Sequence, residues 1–220
     1  MLDVGCGTGT LLHRARAVGH DGRLCGVDPD RAALRIAQSR SDIEWVATVA
    51  AAMTFEGEFE LAVMNGHAFQ CLITDQEIRE SFEAIRRALS SCGRFAFETR
   101  NPAVRAWHGW NPENAFDVVD PSGRSLRVWH EVEDVSGDVV TLTETTGDSQ
   151  GTPLRIDRAR LRFLSVGALH QCVTRAGLSV VAQYGGWSRE PLTEMSPEII
   201  TITEPTRRRD RPPDRQAASG

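Results

Sequence analysis

The 220-residue chain contains no lysine: all 25 of its basic residues are arginine. That absence removes whole classes of chemistry, because a Schiff-base nucleophile and the phosphate-cradling residue of a P-loop are both lysines. Cysteine is sparse as well. The five thiols, Cys6, Cys25, Cys71, Cys92 and Cys172, are odd in number and never spaced as C-x-x-C, so neither a disulfide framework nor a metal site is expected. Long apolar runs are missing too. The longest nearly uninterrupted one, Trp45 to Met53, falls far short of the roughly 20 residues that span a bilayer, and no basic start followed by an apolar stretch reads as a signal peptide. A cytoplasmic protein with no membrane partner is the expectation. Positive charge is also in deficit: 25 basic residues face 30 acidic ones, for a formal charge of −5. Broad attraction to nucleic acid needs the reverse, so no nucleic-acid partner is expected.

What is present suits one ordinary folded core. Hydrophobic residues at 40% and charged residues at 25% are enough to fold a chain of this length without staples. Met1 to Val4 is a short apolar run leading into Gly5-Cys6-Gly7-Thr8-Gly9, after which Leu11, Leu12, Ala15 and Val18 recur at helical spacing until Gly19. The pattern reads as strand, glycine turn, helix. Arg23 to Val27 reads as a second strand ending in Asp28, and Pro29 and Asp30 open a helix carrying Ala32, Ala33, Ile36 and Ala37. Ile43 to Val46 is a third strand, and Phe59 to Met64, apolar on both faces, a central fourth. Thr74 and Glu77 have capping-box spacing ahead of the stripe Ile78, Phe82, Ile85 and Leu89, with Gly93 just past the expected helix end. Arg94 to Thr99 is the fifth strand.

Strands alternating with helices at these spacings predict an α/β fold: a doubly wound, Rossmann-like, mostly parallel sheet. From about Arg105 the pattern changes. The runs 125–135, 139–145 and 157–164, the first two joined by Ser136-Gly137-Asp138, predict an antiparallel β insertion after the fifth strand, spanning about 105–164. A helix near Val166 to Ala176 and strands at Leu178 to Tyr184 and Glu198 to Thr203 complete a domain of residues 1–204. Residues 205–220, with Arg207 to Arg209 and no apolar periodicity, are expected to be a disordered tail.

The chemistry concentrates at Leu2-Asp3-Val4-Gly5-Cys6-Gly7-Thr8-Gly9-Thr10, where the chain must turn sharply from strand to helix and glycine lets the backbone approach a ligand. Asp28, nineteen residues after Gly9 at the end of the second strand, is placed to accept hydrogen bonds from two ribose hydroxyls. The glycine turn, the acid at the end of the second strand, Phe59-Glu60-Leu61-Ala62-Val63-Met64 and the helix leading to Gly93 together resemble the class I S-adenosylmethionine-dependent methyltransferases. The likeness is to their broad small-molecule group and covers almost all of residues 1–204. It implies that the glycine turn, with Asp3, Gly5, Cys6, Gly7 and Gly9, surrounds the methionine part of S-adenosylmethionine. Asp28 would then hold the ribose, and Val49 and Ala50 would flank the adenine. Pro29, beside Asp28, and Met64, at the end of the fourth strand, are counted with these cofactor residues.

Two departures from the family pattern stand out. An acid usually occupies the position of Val49 and bonds the adenine amine; here that contact is missing, and weaker cofactor binding is expected. Relatives also carry a helical segment ahead of the first strand, so a misplaced start or a truncated copy is expected. Two rival readings follow: a noncatalytic remnant domain, and a nicotinamide dehydrogenase. The dehydrogenase wants glycine where Thr10 stands, and Asp3 would face its pyrophosphate unfavourably.

For the acceptor, Asn65-Gly66-His67-Ala68-Phe69 follows the fourth strand at the carboxyl end of the sheet, where open α/β folds bind ligands. His67 suits a general base if the acceptor must lose a proton; the plainer reading is a histidine that lines the pocket. Arg100 ends the fifth strand in the same rim and can orient an acidic substrate or sit in an ion pair. Asn65 shares that rim. Trp107 and Trp129 are expected to roof a small-molecule acceptor, with Tyr184 and Trp187 as further candidates. His130 points to the opposite face from Trp129, so only one of the two can face the cleft. Oxygen, nitrogen and carbon acceptors stay open at this point.

Overall fold

The computed structural model describes residues 1–120 and 122–206. Its core is a seven-stranded sheet. Strands β1 (Leu2–Val4), β2 (Cys25–Asp28), β3 (Glu44–Ala47), β4 (Phe59–Met64) and β5 (Leu89–Arg100) alternate with helices α1 (Thr10–Ala17), α2 (Arg31–Ala37) and α3 (Asp75–Ala88). These five strands pair in parallel in the order β5-β4-β1-β2-β3. The chain therefore winds outward from β1 in one direction and then restarts on its other side with β4. Ligands of open α/β sheets bind at such a reversal, beyond the carboxyl ends of the strands.

Beyond β5, a second, antiparallel sheet forms from β6 (Phe116–Val119), β7 (Ser125–Ser136), β8 (Val139–Asp148) and β9 (Pro153–Arg162), in that order. Helix α4 (Val166–Arg175) leads back to β10 (Leu178–Tyr184) and β11 (Glu198–Pro205). β11 inserts between β10 and β5 and runs antiparallel to both. The fold is thus the doubly wound, mostly parallel α/β architecture with an antiparallel insertion.

Helix α3 shows how sequence becomes packing. The Thr74 hydroxyl accepts from Glu77 N at 3.1 Å while Glu77 Oε2 accepts from Thr74 N at 2.7 Å, so both halves of the capping box are made. Ile78, Phe82 and Ile85 are then turned inward and buried. Phe82 meets Phe97 at 5.2 Å and Phe95 at 5.3 Å between ring centres, and Phe69 joins at 5.1 Å from Phe97. Truncating one such ring costs about 3–5 kcal/mol, so this cluster fixes α3 against the carboxyl half of the sheet.

Several local expectations change. Gly93 does not follow a helix end: α3 stops at Ala88, and Leu89 already pairs with Phe59 in β5. A Cβ at Gly93 would lie 2.9 Å from the Phe59 carbonyl oxygen, so glycine is needed for close backbone approach. β4 is not covered on both faces throughout. Glu60 and Leu61 are exposed because β1 has only three residues and pairs no earlier than Ala62. The second sheet has a fourth strand, β6, that the alternation did not reveal. Pro205 belongs to β11, and of the expected tail, residues 207–220 lie outside the described residues. Among the described residues no helix is long and apolar enough to cross a membrane.

Candidate cofactor and acceptor site

The turn after β1 is held open by its glycines. Gly5, Gly7 and Gly9 have φ of +75°, +53° and +78°, a region that costs an L-residue roughly 1–2 kcal/mol. Gly5 N and Cys6 N both donate to the Val27 carbonyl, at 2.8 and 3.1 Å, tying the turn to the end of β2. There Asp28 completes the arrangement. Its Oδ2 accepts from Gly7 N and its Oδ1 from Asp30 N, each at 2.8 Å. A carboxylate offers about four acceptor positions, so two backbone amides orient Asp28 and leave capacity for a ligand.

A cavity of about 620 Å³ opens where β1, β2 and β4 end, with Gly5, Asp28, Pro29, Val49, Ala50 and Met64 in its wall. Its far side is the face of α3 that carries Glu77, Glu80 and Ser81. Asp3 lies beneath the turn, 1% exposed. Burial, with the nearby Asp28 charge adding to it, pushes its carboxyl up to about 7, and its Oδ1 has no hydrogen-bond partner.

A second constellation lies at the ends of β4, β5 and β11. Antiparallel pairing sets Arg100 opposite Glu198 and Glu98 opposite Ile200, which puts Glu98, Arg100 and Glu198 on one face of the sheet. His67 follows β4 in a left-handed conformation, φ +62°. Its backbone N donates to Glu98 Oε1 at 3.3 Å, and its Nε2 is 3.0 Å from Glu198 Oε1. Trp187 Nε1 donates to the other Glu98 oxygen. Glu198 Oε2 is buried with no partner. Next to these acids, Arg100 Nη1 donates to Gln70 Oε1 at 2.9 Å, and fully buried Gln70 is anchored by donating from Nε2 to the Arg162 carbonyl at 3.1 Å. The Trp110 ring lies 5.2 Å from the Arg100 guanidinium. Burial holds Arg100 below its ordinary value, against the opposing pull of Glu198 and Glu98.

Residues 1–93 match the family described as methyltransferase domain. Among curated proteins, the cypemycin N-terminal methyltransferase of a Streptomyces species is 23% identical over 209 residues, covering 93% of this chain and 82% of that protein. The CcbJ methyltransferase of Streptomyces caelestis superposes with a TM-score of 0.77 at 17% identity, over 94% of this chain and 83% of that one. CalS10 of Micromonospora echinaspora, an amino pentose methyltransferase with S-adenosylmethionine bound, gives 0.69 at 21% identity, over 93% and 82%. Residues 1–93 thus carry a methyltransferase domain, and the chain as a whole has the fold of the S-adenosylmethionine-dependent methyltransferases.

The residues of this methyltransferase fit that cofactor. The cavity has room for a nucleoside and an amino-acid arm, and Asp28 presents oriented acceptor capacity at its wall, while Asp3 beneath the turn keeps one oxygen without a partner. Six of the residues expected at the cofactor, Gly5, Asp28, Pro29, Val49, Ala50 and Met64, share the one cavity wall. Gly7 contributes its amide to Asp28 and has open space where a Cβ would be.

Others are placed elsewhere. The Cys6 side chain is turned into the core with Leu34, Ala37 and Trp45, its amide is taken by Val27, and burial pushes the thiol well up. A Cβ on Gly9 would stand 2.4 Å from the Trp45 ring and 3.1 Å from Ala37 Cβ, so Gly9 lets α1 pack on the sheet. Trp129 is not a roof over the rim. It lies across Gly147, whose Cβ would meet it at 2.9 Å, on the opposite face of β7 from His130. Trp107 packs edge-on against Phe163 at 4.6 Å and lines a separate cavity of about 270 Å³ beside α4. The aromatic groups over the rim are instead Trp110 and His130, 6.0 Å apart, with His130 Nε2 2.9 Å from Glu144 Oε2. Asn65 receives Ala68 N on its carbonyl at 3.2 Å.

Sequence reasoning missed Glu98, Glu198 and Gln70. An acid inside the apolar run Arg94 to Thr99 was a readable signal for Glu98. Glu198 carried none, since only the β5–β11 register brings it to His67.

Proposed function

We propose that this methyltransferase acts on an amine of a small molecule held at the rim of β4, β5 and β11. The observation that carries the reading is the Glu198 oxygen, buried without a partner beside Glu98 and His67. A buried carboxylate oxygen left without a hydrogen bond is costly, and an amine that can donate a hydrogen bond while keeping its lone pair is the ligand that relieves the cost. Two of the similar proteins are named as an N-terminal methyltransferase and as an amino pentose methyltransferase.

Bound S-adenosylmethionine supplies an electrophilic methyl group. An acceptor nitrogen that took this methyl group through its lone pair would carry a surplus proton that must leave. With Nε2–H of His67 donating to Glu198, Nδ1 is the free base that takes it. Glu98 holds the loop through His67 N and is itself fixed by Trp187. Asp28, with the turn from Asp3 to Gly9, positions the donor, and Asn65 directly follows Met64 of the cavity wall. Arg100, set by Gln70 and Trp110, orients an anionic group elsewhere on the acceptor. Alignment and exclusion of water carry most of the rate in such a displacement.

Residues 1–204 then act as one methyltransferase domain, with about 105–164 covering the acceptor. The charge of −5 argues against broad attraction to nucleic acid. The test is mass spectrometry after incubation with methyl-labelled S-adenosylmethionine and matched pairs of probes: amino sugars with their parent sugars, and peptides with free or acetylated N-termini. Label is expected on the amine members only. Label on the hydroxyl members would remove the amine assignment.

A further inference from the structure

We propose that Glu80, on α3, accepts the hydrogen bond of the cofactor's adenine amine in place of the acid missing at position 49. The inference rests on the cofactor assignment above. Val49 is 51% exposed at the cavity wall and has no polar atom in its side chain. The 3₁₀ turn Ala50–Ala52 begins directly after it and packs on α3. The edge of an adenine lying along Val49 and Ala50 therefore looks toward the helix.

Two acids of α3 reach that wall, Glu77 and Glu80. Glu77 is committed to the helix start: its Oε2 receives Ile73 N at 2.9 Å, Thr74 N at 2.7 Å and the Thr74 hydroxyl at 3.0 Å. Glu80 is half-buried, and Oε1 alone is engaged, by Gln76 Nε2 at 2.8 Å one turn back. That contact steadies the carboxylate and leaves Oε2 open. An exocyclic amine is a two-hydrogen donor, and besides Glu80 the side chains along this wall that carry an acceptor are Glu77, held by its three bonds at the helix start, and the hydroxyls of Thr48 and Ser81. A charged acceptor makes the stronger bond. The acid has thus moved from the loop after β3 to a rigid helix across the cleft.

The experiment is calorimetric titration of the full chain with S-adenosylhomocysteine and with S-inosylhomocysteine, whose ring carries an oxygen in place of the amine. The wild-type protein is expected to prefer the adenine compound by roughly tenfold. Glu80→Ala should abolish that preference by weakening the adenine compound alone, and adding Val49→Asp to Glu80→Ala should restore it. Thermal melts of each variant verify that the fold is kept, since Glu80 is half-buried at the cavity wall and is not among the buried core residues of α3. A preference unchanged in Glu80→Ala, or lost in Thr48→Val instead, overturns the proposal. So does an equal loss for both ligands. A wild-type chain that binds neither compound contradicts the cofactor assignment itself and takes the inference with it.

Discussion

His67 Nε2 stands 3.0 Å from Glu198 Oε1, joining residues 131 positions apart in the chain. Neither β4 nor β11 makes this contact alone. β5 lies between them, parallel to β4 and antiparallel to β11, and the register that sets Glu198 opposite Arg100 also delivers its carboxylate to the histidine. The left-handed backbone at His67 is the local strain that turns its ring toward that acid.

If His67 is the base, His67→Ala should lower kcat by about 10²–10³-fold on the amine acceptor. Binding of S-adenosylhomocysteine should be unchanged, because the glycine turn and Asp28 are untouched. Glu198→Gln should lower kcat by less, in the same sense, since the amide still accepts from Nε2–H but no longer stabilises the imidazolium. Single-turnover kinetics with calorimetry on each variant separate the two effects. Equal loss of cofactor binding would make the pair structural.

Asp3 gives a pH dependence with a defined sign. Its carboxyl is raised to about 7 by burial and by Asp28, so between about pH 4 and pH 7 the folded chain holds a proton that the unfolded chain has released. Stability contributed by that proton is present at low pH and is lost as pH rises through about 7. A cationic cofactor favours the ionised form, so its affinity should rise across the same upper range. Asp3→Asn should flatten both trends, read by urea unfolding and by calorimetry at pH 6 and pH 8. An affinity that falls with pH in the wild type would place the cationic part of the cofactor away from Asp3.

The glycines of the turn separate by cause. Gly7→Ala meets no atom within 4 Å, so it should cost only the backbone penalty, about 1–2 kcal/mol. Gly9→Ala drives a methyl into Trp45 and adds an overpacking cost of about 1–3 kcal/mol. Urea denaturation should rank Gly9→Ala as clearly less stable than Gly7→Ala. The opposite order would mean that Trp45 yields.

The order of strands and helices through residue 100 was legible because each β–α unit carries its own local signals: an apolar run, a glycine or capping residue, then a 3.6-residue stripe. That Gly5, Asp28, Val49 and Met64 gather at one cavity was legible for the same reason, since each stands at or just past the end of a recognisable strand. The cluster at the ends of β4, β5 and β11 was not. Its acids come from β5 and from β11, a strand that returns antiparallel after the whole insertion, and no local spacing encodes that meeting. Trp129 misled because alternation on a strand says that two side chains face apart and not which face is covered; packing on Gly147 decides it. Gly93 misled because a glycine needed for close strand contact looks the same in sequence as one ending a helix.

The aromatic groups over the rim give a separable prediction. Trp110→Ala removes the ring above Arg100 and should raise KM for the acceptor while leaving cofactor affinity within about twofold. Trp129→Ala should lower the melting temperature by opening the face over Gly147, with little effect on KM. The reverse pattern, measured by steady-state kinetics and calorimetry on the same samples, would return Trp129 to the cleft.

The cavity shared by the glycine turn and Asp28 is the proposed seat of S-adenosylmethionine. Calorimetric titration of the wild-type chain and of Asp28→Ala with S-adenosylhomocysteine, and with NAD⁺ in parallel, reads it in one experiment. The wild type should bind the sulfide at one site, Asp28→Ala should weaken it by about 1.5–3 kcal/mol, and neither should bind NAD⁺. An affinity unchanged by Asp28→Ala, or binding of NAD⁺ alone, would contradict the assignment of this cavity to S-adenosylmethionine.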